Sequence, residues 1–257
     1  MRRIIWFTFL IPFFFILLSA MQTSKEPIGK ITFPLNRVFV IPAGTSELKY
    51  AQFNMEVYPG DKIETKKESR CEITLRNGDV FRIDENSIFT LEEALVTEKT
   101  VKAEMSLSLG KIWANIKKIF SRDDYLRVKS PSAVIAVRGT IYRVDAQEDS
   151  TTEVRVYEGE VAVTPPPPKV PTPGAPPRPQ PKPKPQEVPP PTQVPAPTQV
   201  QGPTEVSVEV WVEIVKAQQQ IVIKPDGTRS IAEFDPEQDA QLDWVRWNKR
   251  RDSLLNR

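Results

Sequence analysis

Eighteen of the thirty-nine residues from 165 to 203 are proline. A ring that lacks an amide proton and fixes φ cannot sit inside a sheet ladder or a helix. The segment therefore builds no core. Solvated polyproline II is expected, and at about 3.1 Å per residue it reaches roughly 120 Å. Whatever folds here must be assembled from the flanks. Either the segment spaces two separate parts, or it loops out of one domain and its ends lie close together. The residues after it favour the loop. EVSVEVWVEIVKAQQQIVIKPDG, residues 205–227, alternates apolar and polar and ends in a Pro-Asp-Gly turn. That is a hairpin's worth of strand over residues 204–234, and a lone hairpin is marginal in water. Its natural partner lies upstream.

Upstream, residues 38–163 follow period two. Cys71, Ile73 and Leu75 alternate with Glu72, Thr74 and Arg76, which makes Cys71 a small buried apolar residue. Asn77-Gly78 predicts a two-residue hairpin turn with positive φ at both positions. Further strands are expected at 88–91, 103–109, 111–116, 125–129, 133–137, 140–145, 152–157 and 160–163. Turns are expected at Pro59-Gly60-Asp61, Gly110, Pro131, Gly139 and Gly159. IWANIKKIF, 112–120, also reads as a short helix. Many short strands with frequent turns give an all-β sandwich, roll or short β-solenoid, with a β domain over residues 30–163.

The chain closes on a helix over residues 235–257. Asp235 is its N-cap, Pro236 its first residue, and Gln238 follows three after the cap. Trp244, Trp247, Arg251 and Leu254 share one face, broadened by Leu242 and Val245. That face either docks on the β domain or touches a partner or anionic lipid.

Composition narrows the chemistry. Histidine is absent and there is one cysteine. The commonest general base is missing, and so are an intramolecular disulfide and any Cys-based zinc site. No phosphate loop, nucleophile elbow or metal-ligand spacing occurs, so no cofactor and no catalytic residue is expected. The net charge of +2 is carried by the extensions, which leaves the β domain acidic. Nucleic acid prefers a basic face on the folded part and is not expected as a partner. At the start, Arg2 and Arg3 precede an uncharged apolar run, residues 4–21. Arginines before such a run stay cytoplasmic, so the remainder is expected outside the cytoplasm, periplasmic or anchored to the inner membrane. Residues 1–21 read either as a cleaved signal peptide or as a retained membrane anchor.

The order of short motifs resembles the FecR domain. Gly60-Asp61 with Thr65 opens it. A hairpin through Asn77-Gly78 follows, then LSLGKI at 107–112. Next comes the block Ser130-Pro131, Ala133, Val137-Arg138-Gly139-Thr140 and Tyr142, and Gly159 closes a VRVYEGEVAV pair. The resemblance covers about residues 57–163. The tail DWVRWNKRRD, 243–252, is similar to a W-x-x-W-N-x-x-R-D ending of stand-alone exported FecR-domain proteins. In the iron-transport branch of that family a cytoplasmic region controls a sigma factor. The three residues before the apolar run leave no room for one here, so that activity is not carried over.

The block at Arg138, Gly139 and Thr140 is either an anion cradle or a structural device. A cradle normally needs free amides at a helix N-terminus, and no helix pattern follows, so a structural role is expected. With Trp244, Trp247 and Arg251, these are the candidate structural or partner-contact residues. The expected function is an exported, non-enzymatic binding or scaffold module of the bacterial cell envelope with a protein partner. Two alternatives stay open. One is an extracytoplasmic sensory module of an envelope signalling system. The other is a peptidoglycan binder using exposed aromatics such as Trp113, Trp211 or Trp244.

Overall fold

The computed structural model describes residues 26–117, 123–167 and 211–255. The apolar run 4–21, most of the proline segment and the alternation at 206–210 lie outside them.

The molecule is built of strands. Seventeen form one continuous hydrogen-bonded system: β1 Gly29–Leu35, β2 Val38–Ile41, β3 Lys49–Tyr50, β4 Glu56–Val57, β5 Lys62–Thr65, β6 Arg70–Leu75, β7 Val80–Ile83, β8 Ile88–Val96, β9 Val101–Asn115, β10 Tyr125–Lys129, β11 Val134–Val137, β12 Ile141–Ala146, β13 Thr152–Glu158, β14 Glu160–Thr164, β15 Glu213–Lys216, β16 Gln219–Ile223 and β17 Arg229–Glu233. Helices α1, Pro236–Asp239, and α2, Asp243–Leu255, close the chain.

The strands form two ladders that share β9. Ladder A holds β1, β4, β6, β7, β12, β13, β16 and β17; ladder B holds β2, β3, β5, β8, β10, β11, β14 and β15. Residues 101–109 of β9 pair with β8 and β10, whereas residues 110–115 pair with β7 and β12. The pairing with β10 is parallel and the others are antiparallel. Gly110 marks the change. Its φ is +92°, and a Cβ there would lie 2.1 Å from Ser87 Oγ, so only glycine lets the strand pass. The expected turn at Gly110 is thus a kink within one fifteen-residue strand. Ile112–Asn115 is strand, not helix, because its apolar residues alternate between faces.

The alternation places the core. Cys71, Ile73, Phe81, Ile83, Ile112, Ala114, Tyr142, Val144, Val154 and Val156 point inward from ladder A. Phe89, Leu91, Met105, Leu107, Val128, Ile135 and Val163 are buried in ladder B. Phe81 and Phe89 meet at 5.6 Å between ring centroids, so the two inner faces share this core. Burial raises the Cys71 thiol far above its ordinary range and leaves it un-ionised.

Two local expectations change. The β6–β7 hairpin forms, but with a three-residue loop. Gly78 N–H donates to Leu75 O at 2.9 Å, Leu75 N–H donates to Asp79 O at 2.8 Å, and Gly78 has positive φ while Asn77 does not. Asp79 holds this form, because its carboxylate takes Asn77 Nδ2 at 2.7 Å and Lys117 N–H at 2.8 Å. The single C-terminal helix is two. Asp235 caps α1 as expected, accepting from Glu237 and Gln238 N–H, but Gln241 and Leu242 bond three residues back and the helix restarts at Asp243.

Beyond the proline segment, β15 pairs with β14 and β16 pairs with β13. The described residues from 212 to 255 fall in one compact unit with the described residues from 26 to 166.

Candidate functional site

Ladder A has a second face, turned away from the core. Register brings one outward residue per strand into a transverse row. Glu72 on β6 lies opposite Arg82 on β7, Arg82 opposite Trp113 on β9, Trp113 opposite Arg143 on β12, and Arg143 opposite Arg155 on β13. Strand alternation would leave such a row in water. Here it is covered, with Arg82 fully buried and Trp113 1% exposed.

The cover is the C-terminal segment. Arg251 grips Glu72 with two bonds, Nε at 2.7 Å and Nη2 at 2.8 Å. Arg82 Nε meets the same carboxylate at 2.6 Å. Asp252 receives Arg82 Nη1 at 2.7 Å, Asn115 Nδ2 at 3.0 Å and Trp113 Nε1 at 2.9 Å. Asn248 donates to Trp244 O at 2.8 Å. The two tryptophans of α2 stack at 5.4 Å, with the Arg70 guanidinium 5.2 and 5.1 Å from their ring centroids. Val245 is fully buried and packs with Trp113 and Trp244.

At the other end, Arg143 and Arg155 face each other, a repulsive cross-strand pair. Asp239 of α1 neutralises it, bonding Arg143 Nη1 at 3.1 Å, Tyr157 Oη at 2.6 Å and Arg155 Nη1. The helix break makes this possible. Asp239 and Asp252 are thirteen residues apart, which at about 100° per residue puts them on different sides of a straight helix.

The electrostatics agree with the geometry. Burial opposes ionisation of Glu72, but the bonds from Arg251 and Arg82 outweigh it and hold the carboxyl down at about 2. Asp239 is also lowered: burial opposes its charge, while Tyr157 and the two arginines more than compensate. Asp145, beside Arg143, goes the other way. Burial lifts it to about 6 against the pull of that arginine.

The singled-out motifs mostly brace turns. Asp61 is buried and takes Ala43 N–H at 3.1 Å and Tyr58 N–H at 2.9 Å. Thr65 Oγ1 donates to Asp84 O at 2.5 Å and accepts from Ser87 N–H at 3.0 Å. Ser130 Oγ closes its turn on Ala133 and receives Thr152 Oγ1 at 2.9 Å. Thr140 Oγ1 donates to Glu160 O at 2.8 Å, and Gly139 has φ of +62°. Gly159 packs so tightly that a Cβ would lie 2.8 Å from Gly139 O. Arg138 differs from its neighbours. It is exposed and lines a groove of about 350 Å³ on ladder B with Tyr125, Ala136, Glu160, Ala162 and Ile214.

The site residues therefore separate. Trp244, Trp247 and Arg251 are drawn together on ladder A, and Arg138 is on ladder B. Leu242 and Leu254, expected to widen the helix face, are 50% and 57% exposed; the buried face instead runs through Trp244, Val245, Asn248 and Asp252. Trp113 and Trp244 are buried, so they are not the exposed aromatics a wall binder needs; Trp211 is partly exposed. Sequence reasoning missed Glu72, Arg82, Arg143, Asp239 and Asp252. A signal existed: an arginine or a glutamate takes an interior outward position of β6, β7, β12 and β13.

The family model described as FecR protein matches residues 61–162. Two crystal structures of a candidate anti-sigma factor from Parabacteroides distasonis resemble the chain at 16% and 15% identity, with TM-scores of 0.42 and 0.43. Each likeness covers 68% of this chain and 60% of that one, so the chain spans about 60% of that protein's length. No curated protein matches.

Proposed function

We propose that this FecR-domain chain is an exported, non-catalytic binding module of the bacterial cell envelope, and that it holds a protein partner on the outer face of ladder B. The carrying observation is a second transverse row. Glu93, Glu104, Arg127, Ala136, Ala162 and Ile214 lie opposite one another across β8, β9, β10, β11, β14 and β15. Among the described residues no helix covers this row. Its alanines form a low floor between Tyr125 and Ile214, with Arg138 at the rim. A small-residue floor with an aromatic wall and a charged rim suits a polypeptide, since a docked chain gains apolar burial and a charge-assisted bond together.

A non-catalytic role is supported by the buried carboxylates Glu72, Asp239 and Asp252, each committed to an arginine. Export and the membrane anchor belong to the same proposal and rest on residues 1–21. The sensory alternative shares this surface and differs in who occupies it. The wall-binding reading is weakened by the burial of Trp113 and Trp244.

Site-specific photo-cross-linking in cells tests the reading. A photoreactive residue at position 138 or 214 is expected to capture an envelope protein, and one at exposed position 246 on α2 is not. Equal capture from all three positions, or none from 138 and 214, sinks it. A captured membrane signalling protein selects the sensory form.

A further inference from the structure

Among the described residues, ladder A ends in an open edge. β17 pairs with β16 on one side, and all five of its residues are exposed. Lys224 N–H donates to Thr228 O at 2.8 Å and Phe234 N–H to Gln218 O at 3.1 Å. Antiparallel neighbours alternate between bonded and non-bonded pairs. By that alternation Ser230 and Ala232 direct their amides and carbonyls at β16, while Arg229, Ile231 and Glu233 direct theirs outward. The side chains of these three also share one face. Along the strand that face reads positive, apolar, negative. Natural edges are usually blunted with lysine, proline or a bulge. β17 has none of these; its two charged residues, Arg229 and Glu233, are of opposite sign and stand at its ends, and Ile231 at its centre is 43% exposed.

We propose that β17 pairs antiparallel with β17 of a second copy, about a two-fold axis through Ile231. The pattern is self-complementary in that register. Ile231 meets the partner's Ile231, Arg229 meets the partner's Glu233, and Ser230 meets the partner's Ala232. Every outward amide then finds an outward carbonyl. A slip of two residues sets Arg229 against isoleucine and loses the charge pairs, and a slip of one turns the bonded groups away from each other. Charge and hydrogen bonding therefore select one register. Arg229 Nε already meets Glu213 Oε1 at 2.8 Å; a guanidinium has five donors and serves both carboxylates. The contact is isologous, so it closes as a dimer. One short strand pair falls at the small end of interfaces, which makes the dimer weak and concentration-dependent. The surface is separate from the ladder B groove, and its test does not depend on that reading.

Ile231→Cys in the full chain is the direct test. Bonded antiparallel partners stand about 5.5 Å apart at Cα, within disulfide range. Cys71 is buried and does not compete. Leu95→Cys, at a position 57% exposed on β8, is the control. Mild oxidation is expected to convert most of the Ile231→Cys chain to covalent dimer while the Leu95→Cys chain stays largely monomeric. Sedimentation of cysteine-unmodified protein tests the charges. Glu233→Arg is expected to weaken self-association at least tenfold, and adding Arg229→Glu to restore it, with thermal melts showing all variants folded. Ile231→Cys cross-linking no faster than Leu95→Cys overturns the proposal. Cross-linking without charge rescue overturns the register.

Discussion

The two outer faces of this protein carry comparable rows of residues and meet opposite fates. On ladder A the row Glu72, Arg82, Trp113, Arg143 and Arg155 lies beneath the C-terminal segment. On ladder B the row Glu93, Glu104, Arg127, Ala136, Ala162 and Ile214 stays open. The difference lies in what each row can give back to a cover. Ladder A offers a glutamate, three arginines and a broad indole, so a helix with complementary carboxylates and its own tryptophans can satisfy most of the groups it dries, with Arg82 Nη2 and Trp244 Nε1 left unbonded. Ladder B pairs its charges within the sheet, Glu104 with Arg127 and Lys129, and offers beyond them alanine and one apolar wall, which reward a partner but do not demand one. A buried arginine without its carboxylates is costly, whereas a half-buried alanine floor is not. Charge thus fixes a permanent contact on one face, and modest apolarity leaves the other uncovered among the described residues.

The strongest way to break this comparison is at Arg82. Arg82→Ala removes the cation that bridges Glu72 and Asp252 under α2, and a loss of about 3–5 kcal/mol is expected in urea unfolding. A loss below about 1 kcal/mol means that the network does not hold the helix.

Acid comes next. Glu72 titrates near 2 in the fold and near about 4.3 in an unfolded chain. Its contribution is present above the unfolded value and disappears as pH falls through the folded one. Between pH 4.5 and 2 the wild type is expected to lose roughly 2–3 kcal/mol more than Glu72→Gln. Asp145 sharpens the sign. Burial raises it to about 6, so its folded state prefers the proton. Stability from that residue falls as pH rises from about 4 through 6, and Asp145→Asn is expected to flatten that part of the profile. Parallel wild-type and variant profiles in these windows contradict the assignment.

Asp239→Asn leaves Arg143 and Arg155 facing each other with a weaker bridge, and a loss of about 1–3 kcal/mol is expected in the same assay. The smallest effects belong to ladder B. Arg138→Glu and Ile214→Ser are expected to move stability by less than about 0.5 kcal/mol while abolishing partner capture at the groove. A large melting shift from either shows that the face is structural after all.

Much of this was legible in residue order. Period two placed the strands because a buried face excludes charge. The glycines at 60, 78, 139 and 159 marked turns, and all four have positive φ, which side chains with a Cβ rarely adopt. Tryptophan spacing near the end announced a docked face. The hairpin turn was misread because side-chain bonds from Asp79 settle the loop type, and those come from residues brought together by folding. Gly110 was misread because a turn and a kink demand the same dihedral.

The sequence alone determined an all-β body and a closing helical segment with two tryptophans to bury. Only the tertiary structure decided that Glu72, Arg82, Trp113, Arg143 and Arg155 stand in one line, because register between strands distant in sequence is set by pairing across the whole sheet. That same register chose which carboxylates of the last helices would be buried and which face would stay open.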